Sequence, residues 1–543
     1  MASWKETAEK KQKSLLDKIL EQWLVPEALC ATPTTPDDPY LNVATDAFMA
    51  KAGLSPRELA LTSKTSIPDI LASYESHEVS AEELVTAFCH RAAINHQTTE
   101  SLAEIRFAEA ITEAKSQDEY LRTHNKLIGP LHGIPVSLKD QFRVDGLESA
   151  IGFIGWLGKA DTVESESLVT KQIKELGGII IAKASSEPTR ITRNASGSGG
   201  EGSLLASRGS VIGMGTDMGG SIRVPSAYNQ LFGLKPSSGR FSYRDLNSSL
   251  DGKPVVPSVA GPMSATLENV VHIAQLLIST EGWRRDPGLV PLPWRAPVLD
   301  QVRADAATPG KGLCFATFPG RGDDGIMRLH PPVARGVAMA VRAAREVGHR
   351  VIDWTPPSHM EAAMLYGGLC FPTLYDIEDA LELSGEPMVA PAQALMKQVG
   401  EYKPKDFREY YELNKKMKKY QQDYADYWES TKDLTRTVHD MEMLKNGRDA
   451  RVSNFAAYSI VYNVLDYSSL TVPVTFADKS IDVADPHDAP RSPIDEASWI
   501  PYDADVYHGA PVGVQIVGRR LGEEKVLALG EVLSNALKTI GAK

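Results

Sequence analysis

Three segments of this chain gather residue types that could do chemistry. The most suggestive reads Gly215-Thr216-Asp217-Met218-Gly219-Gly220-Ser221-Ile222-Arg223, with two glycines directly ahead of a serine. Backbone without side chains lets a ligand come close and lets successive N–H groups point one way. Such donors make an oxyanion hole, each worth about 3–4 kcal/mol in hydrolases. A serine hydroxyl placed there needs a base, because its own pKa is far too high for attack at neutral pH. The second segment, Gly129–Asp140, closes on Ser137-Leu138-Lys139-Asp140, and the third is Ser196-Gly197-Ser198-Gly199-Gly200-Glu201-Gly202.

Histidine is a poor candidate for the base. The twelve histidines are scattered, and only His132 falls near one of these segments. Neither an H-E-x-x-H helix nor a G-x-S-x-G elbow occurs. Lysine can serve when burial and nearby donors lower its pKa, and Lys139 is placed for that. The ordinary fate of a strand-end lysine is solvent, and a serine in a Gly-rich run often bonds its own backbone. Asp217 and Arg223 read as structural, holding the serine loop by charge-assisted hydrogen bonds. Gly197–Gly202 also fits G-x-G-x-x-G, but Pro188 and Arg190 separate it from the preceding strand, so a dinucleotide site is not expected.

The elements that must position these residues follow from periodicity. Residues 1–65 read as a charged helical region and a Pro/Asp-rich link from Thr32 to Tyr40, where prolines forbid helix. Ile67, Ile70, Leu71 and Tyr74 fall at helical spacing, and Ser80 with Glu83 makes a capping box for the next helix. Ile134–Leu138 is a strand, 163–176 a helix stopped by Gly177-Gly178, and Ile179–Ala182 a second strand. That alternation predicts an α/β fold with a mixed central sheet and helices on both faces. Residues 405–430 form a long aromatic helix, more a packing surface than a substrate box, and strand Val512–Val517 precedes a closing helix from Glu523.

Of 543 residues, 42% are hydrophobic and 24% charged, ample for a sizeable core. The net charge of −12 argues against nucleic acid or an anionic membrane as partner. Cys30, Cys89, Cys314 and Cys370 are far apart, as in neither a zinc site nor a disulfide scaffold, and read as buried free thiols. No signal-peptide pattern and no apolar run of bilayer length is present, so a cytoplasmic protein is expected.

Taken in order, the motifs resemble those of the amidase signature family. Lys139-Asp140 after Gly133-Ile134-Pro135-Val136-Ser137-Leu138 is similar to its lysine segment. Gly215–Arg223, continued by Gly233-Leu234-Lys235-Pro236-Ser237, is similar to its nucleophile segment, and Ala510–Gly518 to its C-terminal signature. The resemblance spans 66–537, taken as one domain, and the Trp4-Lys5 start and the 405–430 helix look like the fungal-type subgroup. It implies Ser221 as acyl-accepting nucleophile, Lys139 as a base that is neutral in the resting site, and the N–H groups of Met218, Gly219, Gly220 and Ser221 as oxyanion cradle. In the family a second serine, 24 residues before the nucleophile, relays the proton; here that position is Gly197. Ala195 and Ser196 also depart from the pattern, and three adjacent departures read as natural divergence rather than a single designed change.

Glycine cannot carry a proton. Ser198, Ser196 or a water is left to fill the gap, and the remaining outcome is loss of ordinary hydrolysis. General-base contributions run about 10²–10⁴-fold, so a poor relay predicts slow turnover. The expected activity is hydrolysis of a carboxamide, or an ester, of a small organic acid through acyl-Ser221, with no metal or organic cofactor. The alternatives are an amidase scaffold turned to acyl transfer, cyclisation or elimination, and a binding protein that has lost catalysis. The partner is a small molecule, with a homodimer left open.

Overall fold

The computed structural model describes residues 3–30, 43–185, 198–250, 252–308, 310–318, 327–371, 374–388, 404–431, 442–445, 456–483, 495–496 and 502–541. The Thr32–Tyr40 link, Ser196 and Gly197 lie outside them.

Among the described residues, eleven strands form one sheet. In chain order they are β1 (Leu102–Ile105), β2 (Pro135–Lys139), β3 (Ile179–Ala184), β4 (Ile212–Asp217), β5 (Phe232–Lys235), β6 (Val259–Ser264), β7 (Cys314–Thr317), β8 (Arg350–Asp353), β9 (Glu442–Lys445), β10 (Ser468–Phe476) and β11 (Pro511–Gly518). The spatial order is β1-β3-β2-β4-β6-β5-β10-β11-β9-β7-β8. β2 runs parallel to both β3 and β4, whereas β6, β5, β10 and β11 pair antiparallel in turn, so the sheet is mixed as expected. Every residue of β2, β3, β4 and β6 is buried, which requires cover on both faces. One large core joins this sheet to its helices, and Leu15, Ile19 and Trp23 from the N-terminal region belong to it.

Several local expectations shift for physical reasons. The helix expected over 163–176 begins only at Leu168. Ahead of it, the Ser165 hydroxyl accepts from the Thr162 N–H at 2.9 Å, a local turn that competes with helix. The capping box at Ser80 is half formed: its hydroxyl accepts from Glu83 N at 3.0 Å. Glu83 does not reach back, because Arg57 grips both its carboxylate oxygens at 2.7 and 2.9 Å. The aromatic helix spans Phe407–Ser430 behind an Asp406–Glu409 capping box. Its Tyr420, Tyr424 and Trp428 are buried, and Tyr424 and Trp428 meet Tyr467 edge to face, so it packs as expected.

Candidate active site

β2 and β4 lie side by side with Ser137 opposite Gly213 and Leu138 opposite Met214. One step further along both strands, Lys139 comes beside Gly215, at the carboxyl edge where parallel strands present ligand sites. Lys139 is 5% exposed. Its Nζ donates to Thr216 Oγ1 at 3.0 Å, and the Thr216 hydroxyl donates onward to Gln141 Oε1 at 2.5 Å. The neighbouring Asp140 faces away from this chemistry. Its carboxylate meets Lys183 Nζ at 3.0 Å and accepts from Ile151 N at 2.6 Å, fixing the loop after β2.

β4 runs directly into the serine loop, and Asp217 and Arg223 shape that loop. Both are fully buried. The guanidinium donates to both carboxylate oxygens of Asp217 at 3.0 Å, in the bidentate form favoured for this pair. Asp217 further accepts from Gly220 N at 2.8 Å, Ile222 N at 3.1 Å and Asn463 Nδ2 at 2.9 Å. Burial alone would raise this carboxyl, but the guanidinium outweighs it and holds the group well below the usual carboxylate range. Arg223 reaches on to Ser459 O, Asn463 Oδ1 and Gln515 Oε1 at 2.8, 2.6 and 3.1 Å.

The loop's glycines are required by close approach. Gly220 has φ +131°, and a Cβ there would stand 2.6 Å from Ser459 Oγ. A Cβ on Gly219 would stand 2.6 Å from the Tyr366 hydroxyl. With its N–H given to Asp217, Gly220 is committed to loop structure. The N–H groups of Met218, Gly219 and Ser221 make no hydrogen bond among the described residues. Ser221 itself is half-buried.

Helix Gly199–Ala206 covers the same face of β2 and β4. Ser198, at its N-cap, is fully buried, its Oγ has no hydrogen-bond partner among the described residues, and it sits 3.1 Å from where a Gly215 Cβ would be. Lys139, Thr216, Ser198 and the Gly219–Ser221 turn therefore gather at one edge of the sheet.

Some residues of this neighbourhood carried no sequence signal. Glu201 is fully buried and accepts from Ser137 Oγ at 2.7 Å. Burial pushes its carboxyl up to about 8, against the opposing pulls of Ser137 and Lys139. Tyr366 stands beside Gly219 and hydrogen-bonds Cys370, whose Sγ lies 3.8 Å from Lys253 Nζ. A half-buried tyrosine on a helix without a motif gives nothing to read. His132 accepts from Ile128 N at 3.1 Å and lies edge to face on Tyr74, a packed ring. Lys235, of the motif after the serine loop, is a buried clamp that donates to Pro236 O and Tyr467 O at 3.0 and 2.8 Å.

Comparison with known proteins agrees with this architecture. The family described as Amidase matches residues 83–196 and 185–527. An acetamidase of Aspergillus oryzae is 34% identical over 561 residues, covering 99% of both chains. An acetamidase of Emericella nidulans is likewise 34% identical with 99% coverage of each. Among solved structures, a fatty acid amide hydrolase superposes with a TM-score of 0.87 at 27% identity, covering 98% of this chain and 95% of its own.

Proposed function

The chain belongs to the amidase family, and from that premise we propose that it hydrolyses a carboxamide of a small organic acid through an acyl-Ser221 intermediate. The observation that carries the reading is the burial of Lys139 with its Nζ 3.0 Å from Thr216 Oγ1, on the strand that leads into Ser221. Burial disfavours the ammonium, which suits a lysine that must accept a proton. The acetamidase names of two full-length relatives support a small acyl group.

In this mechanism Ser221 Oγ attacks the amide carbon as its proton passes toward Lys139. The tetrahedral oxygen collects its negative charge against the N–H groups of Met218, Gly219 and Ser221, with Gly220 shaping the turn. The Lys139 proton then goes to the leaving nitrogen, the C–N bond breaks and ammonia or an amine departs. Water attacks the acyl-Ser221 ester, giving up a proton along the same path, and releases the acid. Ser198 carries the proton in place of the residue absent at Gly197. Its buried hydroxyl without a partner supports that role.

A serine-directed fluorophosphonate tests the proposal. The expected result is an adduct on Ser221, abolished by Lys139→Ala and slowed at least tenfold by Ser198→Ala. Restoring serine at position 197 is expected to raise amide turnover. A folded protein that takes no label refutes the hydrolase reading and favours non-hydrolytic chemistry on the same scaffold. Unchanged labelling of Ser198→Ala removes that residue from the path.

A further inference from the structure

The strand that bears Lys139 also bears Ser137, and residues two apart in a strand share a face. Gly213 and Gly215 of β4 lie on that face beside them. Helix Gly199–Ala206 presents Ser198 and Glu201, three residues apart and so on one side of the helix, to these two levels. Ser198 sits over Gly215 and Glu201 over Gly213: a Cβ on Gly213 would stand 2.4 Å from Glu201 Oε2. The carboxyl thus occupies the room of a side chain that β4 lacks. Its Oε2 accepts from Ser137, and its Oε1 is buried without a hydrogen-bond partner.

We propose that Glu201 is a positioning residue for the base: a neutral carboxylic acid that lines the Lys139 face of the sheet without offering it an anion. The inference rests on Lys139 acting as the base. An ionised carboxylate with one oxygen unpartnered in a dry interior costs many kcal/mol, whereas the acid form costs only the burial of a hydroxyl. Were Glu201 ionised, its charge would favour the ammonium of Lys139 and remove the amine that Ser221 needs.

The other charged groups on elements packed against this helix are already held. Lys183 on β3 is paired with Asp140, and on the helix Arg223–Tyr228 and β4, Arg223 is paired with Asp217. On the helix Ala81–Thr99, Arg91 donates to Ser207 O, Thr62 and Asp46. His96 of that helix accepts from Leu102 N, and burial lowers its ring to about 4. With these groups held elsewhere, burial and the unpartnered Oε1 favour the acid form of Glu201.

The test is the pH dependence of fluorophosphonate labelling of Ser221 in the wild type and in Glu201→Gln. Glutamine keeps the shape and an acceptor for Ser137 but cannot ionise. A neutral acid and a glutamine both leave Lys139 without an anion, so wild type and Glu201→Gln are expected to gain labelling along one superimposable limb. Difference infrared spectra at neutral pH are expected to show a protonated-carboxyl band in the wild type that Glu201→Gln lacks. Ser137→Ala, which removes the hydrogen bond that favours the carboxylate, is expected to leave the limb and the protonated-carboxyl band in place. It supplies the readout if Glu201→Gln fails to fold. A Glu201→Gln limb about one pH unit below that of the wild type, or a wild type without the protonated-carboxyl band, shows a carboxylate facing Lys139 and overturns this inference alone. A wild type that takes no label at any pH overturns the hydrolase reading and this inference together.

Discussion

Asp217→Asn changes one oxygen to an amide nitrogen at the centre of the serine loop. The wild-type carboxylate accepts from Gly220 N, Ile222 N, Asn463 and both arms of Arg223. Asparagine must turn an NH₂ toward at least one of these donors, and it leaves the buried guanidinium without its counter-charge. Breaking a buried pair by removing one partner costs about 3–5 kcal/mol. Unfolding entropy of about 2 cal/mol/K per residue, over 543 residues, makes that a fall in Tm of about 3–5 °C. The turn at Gly220 loses its anchor, so the N–H groups beside it lose their aim; one misplaced oxyanion donor costs about 10²–10³ in rate.

The Asp217 carboxyl is depressed in the fold. Its stabilisation is therefore fully present above the unfolded carboxyl pKa of about 3.9 and is lost as pH falls toward the folded value. Calorimetry is expected to give a constant Tm gap between wild type and variant from pH 5 to 8, narrowing below about pH 4. Fluorophosphonate labelling is expected to fall about 100-fold or more. A Tm within 1 °C of wild type, with labelling within about twofold, would show that the pair does not organise the loop.

Three further outcomes are expected. Glu201 is raised in the fold, so it holds its proton while the unfolded chain has released one, and it lowers stability increasingly as pH rises from about 4 to about 8. Glu201→Gln is thus expected to gain Tm relative to wild type between pH 5 and pH 8; a pH-independent difference contradicts a neutral buried acid. Gly213→Ala drives a methyl to 2.4 Å from Glu201 Oε2 and 2.8 Å from Leu205 Cδ1. The expected loss is about 1–3 kcal/mol by denaturant titration, and a neutral substitution would contradict the packing. Finally, Cys89, Cys314 and Cys370 are buried, and burial raises the Cys370 thiol to about 11, while Cys30 is half-exposed. A thiol reagent is expected to find one fast-reacting cysteine in the native protein and four after denaturation.

The places of Lys139 at the end of β2 and of the glycine turn after β4 were legible because their signals are local: a strand ending in lysine, and two glycines before a serine. The roles of Asp217 and Arg223 were legible for the same reason, lying six residues apart within one turn. Glu201 was not, because its meaning depends on Gly213 and Ser137 from two other elements, and no spacing along the chain encodes that contact. The α/β class and several strands followed from alternation and apolar runs. The sheet order did not: the pairing of Gly233 with Thr471 joins strands more than 230 positions apart. The start at Leu168 was missed because a serine-capped turn and a helical charge pattern use the same residues over 162–166.

The clasp around Arg223 has a consequence for biosynthesis. The guanidinium is fastened by Ser459, Asn463 and Gln515, which leave the ribosome more than two hundred residues after it. A nascent chain can lay down β2, β3 and β4 early, yet the turn that carries Ser221 has only its local ties to Asp217 until almost the last strand has been made. Truncated products of interrupted translation would therefore carry Lys139 and Ser221 without reactivity.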